Sequence, residues 1–318
     1  MTRELRGDVN GDRWRDTGFL GAAQRWVDGQ LDRHGLARTG PVDQVHVRPW
    51  STVIRVPVAD GSVWFKANEE ALRHEAAVVD LLSRLCPAAV PPLLAHDPAR
   101  GWMLMPDAGE SLRQVVPRER SLCRWHDVLT LCAQVQVAAA DAVPELLEVG
   151  VPDMRLATLP DRYDVLVDDI GAERRFRESS SLVRDLADEL ASSRVPETIQ
   201  HDDLHDAQVF VRDGRHLIMD WGDACVSHPF FTLAVTLEGN VGWGLDDVER
   251  SEDLAPYVET YLAPFAERYD VEVRDLAREA EVAMRLGWAC RAVNGHVPGE
   301  DGPTLTRLRM LVDRTPGG

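Results

Sequence analysis

The sequence predicts an α+β fold in two lobes, a small antiparallel sheet with helices followed by a mainly helical part. Three observations carry this. Residues 45–67, "VHVRPWSTVIRVPVADGSVWFKA", hold short β-type runs broken by a turn signal. One more apolar run then ends in Pro106-Asp107-Ala108-Gly109, a break with the composition of a hinge. Beyond it the apolar spacing is mostly that of helices. The lobes are therefore placed at 1–105 and 106–318.

Each element has a local reason. A helix is predicted from about Thr17 to His34, with Leu20, Trp26, Val27 and Leu31 on one stripe and Gly35 as its stop. Strands follow around Val45–Val47, Ile54–Val58 and Val63–Ala67, the last two joined by an Asp60-Gly61 turn. "NEEALRHEAAVVDLLSRL" returns to helical spacing, with Leu72, Val79 and Leu82 inward, and Pro87 ends it. Glu75 shares that inward stripe, and an inward carboxylate needs a partner. Lys66, opposite in direction to Phe65 on its strand, is the candidate; an unrelated surface Lys and Glu is an equally weighted reading. Trp102–Met105 is a further strand. Helices are predicted at Val128–Ala140, Leu182–Leu190, Leu254–Tyr269 and Val273–Val293.

Composition narrows the function. The chain has 318 residues, 44% of them hydrophobic, enough for two lobes with ordinary cores. A formal charge of −18 argues against nucleic acid as a partner and suits a cationic small molecule, although surface carboxylates also serve solubility alone. No apolar run approaches a membrane span, and the N-terminus has no apolar core of a signal peptide. Cys86, Cys123, Cys132, Cys225 and Cys290 form no Cys-x-x-Cys pair and read as buried thiols of a reducing compartment, which points to the cytoplasm.

The most informative stretch is "QHDDLHDAQVFVRDGRHLIMDWGDA", residues 200–224, which holds six aspartates around two apolar runs. Mutual repulsion makes such a cluster costly unless something positive belongs there. Val209–Val211 and Leu217–Met219 should pair as a hairpin about Asp213-Gly214, which sets Gln208 opposite Asp220 to within one residue of register. Two oxygen donors then meet at the open end, with Asp203 in the loop before it. That donor set suits Mg²⁺, which takes few protein oxygens, several waters and nucleotide phosphates.

His201-x-Asp203 followed by Gln208, with Asp220 beyond, resembles the catalytic loop and second metal-binding Asp of the aminoglycoside phosphotransferase family, small-molecule kinases of the protein-kinase-like fold. The resemblance runs from about Val45 to the final helices. It implies that Asp203 is the catalytic base or orienter of an acceptor hydroxyl, that Gln208 and Asp220 hold Mg²⁺, and that His201 supports the loop. It implies an ATP site using Lys66 on the phosphates, Glu75 to orient that lysine, the hinge around Met105 and Asp107 for adenine, and backbone near Ser51 and Thr52. The departures are Gln208 in place of Asn, Asp202 in place of Gly, His228 and Thr232 in place of two Asp, and "RPWSTV" as a phosphate loop without glycine.

The resulting expectation is an ATP- and Mg²⁺-dependent kinase, monomer or weak homodimer, phosphorylating a hydroxyl of an aminoglycoside, aminosugar, sugar or amino alcohol. The alternative is a nucleotide-binding pseudokinase without turnover. A metal-dependent hydrolase would need a second metal cluster that the sequence does not display. Asp223, His205, Trp243, Trp288 and Arg291 receive no role at this stage.

Overall fold

Alternating residues between Asp43 and Pro106 build a five-stranded antiparallel sheet in the computed structural model, which describes residues 11–246, 248 and 251–315. The chain divides into two units, Met1–Gly109 and Glu110–Gly318.

In the first unit a 3-10 turn, Asp12–Arg15, leads into helix α1 (Thr17–Arg33), whose first turn is capped by the Asp16 carboxylate. Strands β1 (Asp43–Val47), β2 (Ser51–Val58) and β3 (Gly61–Asn68) precede α2 (Glu75–Leu85), and β4 (Ala95–Asp97) and β5 (Trp102–Pro106) complete the sheet in the order β1-β2-β3-β5-β4. Val58 pairs with Gly61, so the β2–β3 turn is Ala59-Asp60, one residue earlier than the Asp-Gly turn expected from the sequence. Gly61, at φ +124, opens the strand instead.

One face of this sheet carries Ile54, Val56, Val63, Phe65, Trp102 and Leu104 beneath α1, where Val27 and Leu31 are buried. Trp26, Phe65 and Trp102 meet edge to face at 5.4–5.8 Å between centroids. Alternation then forces Lys66 onto the opposite face. The helix expected from "NEEALRHEAAV" starts late: Leu72 ends a separate 3-10 turn, and α2 begins at Glu75. Asn68 explains the delay, because its amide donates to Leu72 O and to the Glu75 carboxylate.

The second unit opens with β6 (Glu110–Ser111) and α3 (Leu112–Glu119), entered through a Ser111/Gln114 capping box. Helices α4 (Arg124–Ala139), α5 (Val143–Glu148), α6 (Leu159–Asp169), α7 (Arg174–Glu178) and α8 (Ser180–Leu190) follow, then β7 (Thr198–Gln200), the β8–β9 hairpin (Val209–Arg212, Arg215–Ile218) and β10 (Cys225–Ser227). The last helices are α9 (Ala255–Tyr269), α10 (Val273–Asn294) and α11 (Asp301–Asp313). Buried residues of α10 recur at Leu276, Ala280, Ala283, Gly287 and Cys290, and from Leu286 to Ala292 every residue is buried. Gly287 permits this: a Cβ there would stand 2.9 Å from Phe231 O and 3.0 Å from Ala234 Cβ.

Three of the five cysteines are buried; Cys86 is half-buried and Cys123 exposed, which corrects the expectation of uniformly buried thiols. Cys123 sits at the mouth of α4, where the chain turns through a surface loop. Among the described residues no helix is long and apolar enough to cross a membrane.

Candidate active site

The acidic stretch is pinned at both ends. Gln200 at the end of β7 pairs with Cys225 at the start of β10, so residues 201–224 form one excursion from a two-stranded ladder. Inside it the hairpin closes through Asp213 and Gly214, both at positive φ, with Arg212 opposite Arg215. That register sets Gln208 beside Met219, whose amide donates to Gln208 O at 2.8 Å, and Asp220 one residue beyond. Asp220 is exposed and takes a left-handed backbone, φ +62, that turns the chain into the 3-10 turn Trp221–Asp223.

His201 ties the two halves together. It is fully buried, stacks near Trp221, and its Nε2 donates to Met219 O at 2.8 Å, next to Asp220. Burial holds its pKa below the ordinary value, so the ring is neutral and the bond fixes its tautomer. Asp203, two residues on, is a quarter exposed. Its Oδ2 faces His205 Nε2 at 3.7 Å and its Oδ1 meets Arg291 at 2.8 Å. Gln208 Nε2 lies 3.4 Å from His205 Nε2, which leaves its amide oxygen for another partner. Asp220 and Gln208 thus present oxygen donors at the accessible end of the hairpin, the chemistry a Mg²⁺ ion requires.

Asp202 is the unusual member. It has φ +63, a backbone that glycine adopts without strain and that costs other residues about 1 kcal/mol. It is also 3% exposed, and burial, partly opposed by Arg291 and Asn294, raises its pKa to about 6. Arg291, 7% exposed on α10, contacts Asp202 and Asp223 at 3.4 Å as well as Asp203. Burial alone would lower the Arg291 pKa, but the three facing carboxylates outweigh it and raise it. Asn294, one turn on, donates to Asp202 Oδ2 and to Asp223 O, each at 2.7 Å.

The neighbours of this cluster are polar and packed. Gln200 Nε2 lies 2.9 Å from Asp202 Oδ1 and within 3.5 Å of the sulfurs of Cys225 and Cys290. Gln136 joins Thr232 and Tyr261 behind it. Thr232 therefore ties its turn to α4, whereas His228 caps its own turn: its Nδ1 accepts from Phe230 N, and burial pushes its pKa down to about 3. Asp206 is held by Arg113 at 2.7 Å. Burial would raise the Asp206 pKa, yet hydrogen bonds from His205 and Arg113 bring it below the usual carboxylate range.

A pocket of about 410 Å³ in the same unit is lined by Glu238, Trp243, Glu252, Asp253, Trp288 and Arg314, among others. Its wall connects to the loop, since Thr236 Oγ1, in the π-helical turn that ends at Glu238, donates to Leu204 O at 2.9 Å. Glu238 is already engaged by Trp288 Nε1 and Arg314, each at 2.7 Å.

In the first unit Lys66 Nζ lies 2.7–2.8 Å from the two Glu75 oxygens, and both residues are buried. Asn68 Nδ2 adds a bond of 2.6 Å to Glu75. The even choice left by the sequence resolves to a pair. Met105 lies in β5 opposite Trp64, and Asp107 Oδ1 accepts from Gly109 N at 2.7 Å. Ser51 and Thr52 are buried in β2; the Ser51 amide bonds Arg48 O within the turn, and Thr52 Oγ1 donates to His46 O. Those groups are occupied by the loop itself rather than aimed outward as a cradle. The loop is further braced by the N-terminal 3-10 turn: Trp14 Nε1 donates to Arg48 O at 2.8 Å and Arg13 to Pro49 O.

The model of the phosphotransferase enzyme family that includes aminoglycoside phosphotransferases matches residues 58–281. The chain belongs to that family. It is a small-molecule phosphotransferase by family, with a protein-kinase-like fold. Solved structures similar to this phosphotransferase include an ethanolamine kinase of Plasmodium vivax (13% identity, TM-score 0.62, covering 97% of this chain and 96% of that one). A GDP complex of aminoglycoside 2'-phosphotransferase-IIIa is similar at 13% identity and TM-score 0.59, covering 92% and 99%. A choline kinase of Streptococcus pneumoniae is similar at 12% and 0.59, covering 91% and 97%. No curated protein sequence is a significant match.

Sequence reasoning assigned no role to Arg291, Asn294 and Gln200. A signal was present for one of them: Arg291 continues the buried stripe of α10, where a guanidinium requires a carboxylate partner.

Proposed function

We propose that this phosphotransferase moves the γ-phosphoryl group of ATP, with Mg²⁺, to a hydroxyl of a small polar molecule. The observation that carries the reading is the His201–Met219 bond, which holds the loop bearing Asp203 to the turn bearing Asp220. Asp203 orients the acceptor hydroxyl and takes its proton through the oxygen not bound to Arg291. Asp220 and Gln208 hold Mg²⁺, which when bound neutralises phosphate charge. Lys66, fixed by Glu75, binds nucleotide phosphates; Met105 and Asp107 lie on the adenine side. Ser51 and Thr52 shape the loop beside the phosphates through its backbone, with Thr52 Oγ1 bound to His46 O.

The pocket favours an amine-bearing acceptor. Trp243 and Trp288 line it, Glu252 and Asp253 add negative charge, and Glu238 is offset by Arg314. Aminoglycosides, aminosugars and amino alcohols satisfy both requirements; neutral sugars satisfy only the hydroxyl. The test is Mg²⁺-dependent ADP release across such a panel, with Asp203→Ala as control. Acceptor-dependent release that vanishes in the control is expected. Silence across the panel together with no Mg·ATP binding by calorimetry would sink the kinase reading.

A further inference from the structure

Asp203 and Asp223 are the partly exposed carboxylates of an ion cluster whose centre, Asp202 and Arg291, is buried. Asp202 has both oxygens held, Oδ1 by Gln200 and Oδ2 by Asn294 and Arg291. Asp223 shares the same guanidinium, and its carbonyl accepts from Asn294. Arg291 has little freedom of its own, because α10 is buried on every side from Leu286 to Ala292. A guanidinium held this way presents one N–H direction to Asp203, at 2.8 Å.

We propose that Arg291 is a positioning residue, with Asp202 as its buried counter-carboxylate, that binds Asp203 Oδ1 and so directs Oδ2 toward the acceptor hydroxyl. The inference rests on Asp203 acting on that hydroxyl. A glycine at position 202 would meet the backbone requirement alone, whereas aspartate adds both left-handed strain and a buried charge. Those costs are offset by a guanidinium that also reaches Asp203.

A purely structural role, in which Arg291 only neutralises Asp202, makes a different prediction. If that were all, removing Asp202 would make Arg291 dispensable. The experiment compares Asp202→Gly with Asp202→Gly/Arg291→Met, using the acceptor found in the panel, with Asp203→Asn as control. The double variant is expected to bind Mg·ATP and acceptor within about threefold of Asp202→Gly, with kcat lower by about 100-fold, the scale of a misplaced catalytic group. A double variant with the kcat of Asp202→Gly overturns the proposal. Because Arg291→Met leaves buried carboxylates unpaired and can unfold the chain, Arg291→Lys is the second arm. It keeps the charge but lacks the fork, and kcat about tenfold down at unchanged acceptor KM is expected; wild-type kcat in Arg291→Lys overturns the proposal. Asp203→Asn with wild-type turnover would instead overturn the underlying catalytic reading, whatever the Arg291 variants do.

Discussion

Replacing Lys66 by Met keeps most of the side-chain volume and removes the ammonium. Glu75, 1% exposed, then retains the 2.6 Å bond from Asn68 but loses the cation at 2.7 Å. Breaking a buried pair from one side costs about 3–5 kcal/mol, most of it the penalty of a buried charge left uncompensated. At about 2.1 cal/mol/K of unfolding entropy per residue, each kcal/mol moves Tm by about 1.5 °C in a chain of this size, so Lys66→Met should melt roughly 4–8 °C below wild type. The double variant Lys66→Met/Glu75→Gln removes both charges and should recover most of that loss, since the Gln amide keeps its Asn68 neighbour and no charge is left buried. It should not recover transfer: kcat/KM stays lower by about 100-fold or more, because a phosphate-binding cation is still missing. Thermal melts and ADP release on the same three proteins decide the matter. A single variant that melts within about 2 °C of wild type, or a double variant as unstable as the single, would refute the argument from burial.

Other expected outcomes follow from the second unit. Asp203→Asn should lower acceptor-dependent ADP release by about 10²–10⁴-fold while calorimetry finds Mg·ATP affinity nearly unchanged. Asp220→Ala should instead weaken Mg·ATP binding by about tenfold or more, about 1.4 kcal/mol; unaltered metal-dependent affinity would contradict the assignment. Asp202 has a folded pKa near 6 against an ordinary 3.8, so its contribution to stability is present below pH 4 and lost as pH rises through 6. The size is about 3 kcal/mol, from about 1.4 kcal/mol per unit. Asp202→Asn should therefore gain on wild type in Tm between pH 4.5 and 7.5, and a constant difference would count against it. Gly287→Ala forces a Cβ against Phe231 O and should cost about 1–3 kcal/mol in denaturant unfolding; a neutral result would mean that α10 can shift.

What was legible in the sequence had a short-range cause. The β8–β9 hairpin follows from Asp213-Gly214, and α1, α4, α9 and α10 from spacing, because turn chemistry and helical periodicity act within a few residues. The ladder between Gln200 and Cys225 was not legible, since strands of three buried residues carry no alternation to read. α2 was misplaced at its start because Asn68 captures the Leu72 carbonyl, a side-chain bond that competes with the helix. At the site, Asp203, Gln208 and Asp220 could be named from spacing. Arg291 could not be paired with Asp203, because a separation of 88 positions says nothing of where α10 docks. The Lys66–Glu75 pair lies between: alternation and helical spacing each pointed inward, but only packing brings the two together.

The bracing of the β1–β2 turn by Trp14 and Arg13 bears on timing rather than geometry. A glycine-rich loop is disordered until a ligand arrives and loses its freedom in the act of binding. Here the segment from Arg48 to Thr52 is ordered when the chain folds, by a turn drawn from residues 12–15. A ligand that meets this loop finds little backbone entropy left to remove, so association there should resemble docking to a rigid surface, with a small entropic penalty and no slow closing step. The N-terminal turn thereby acts on the loop through its bonds to Arg48 O and Pro49 O. Trimming residues 11–15 should appear first as a more unfavourable binding entropy.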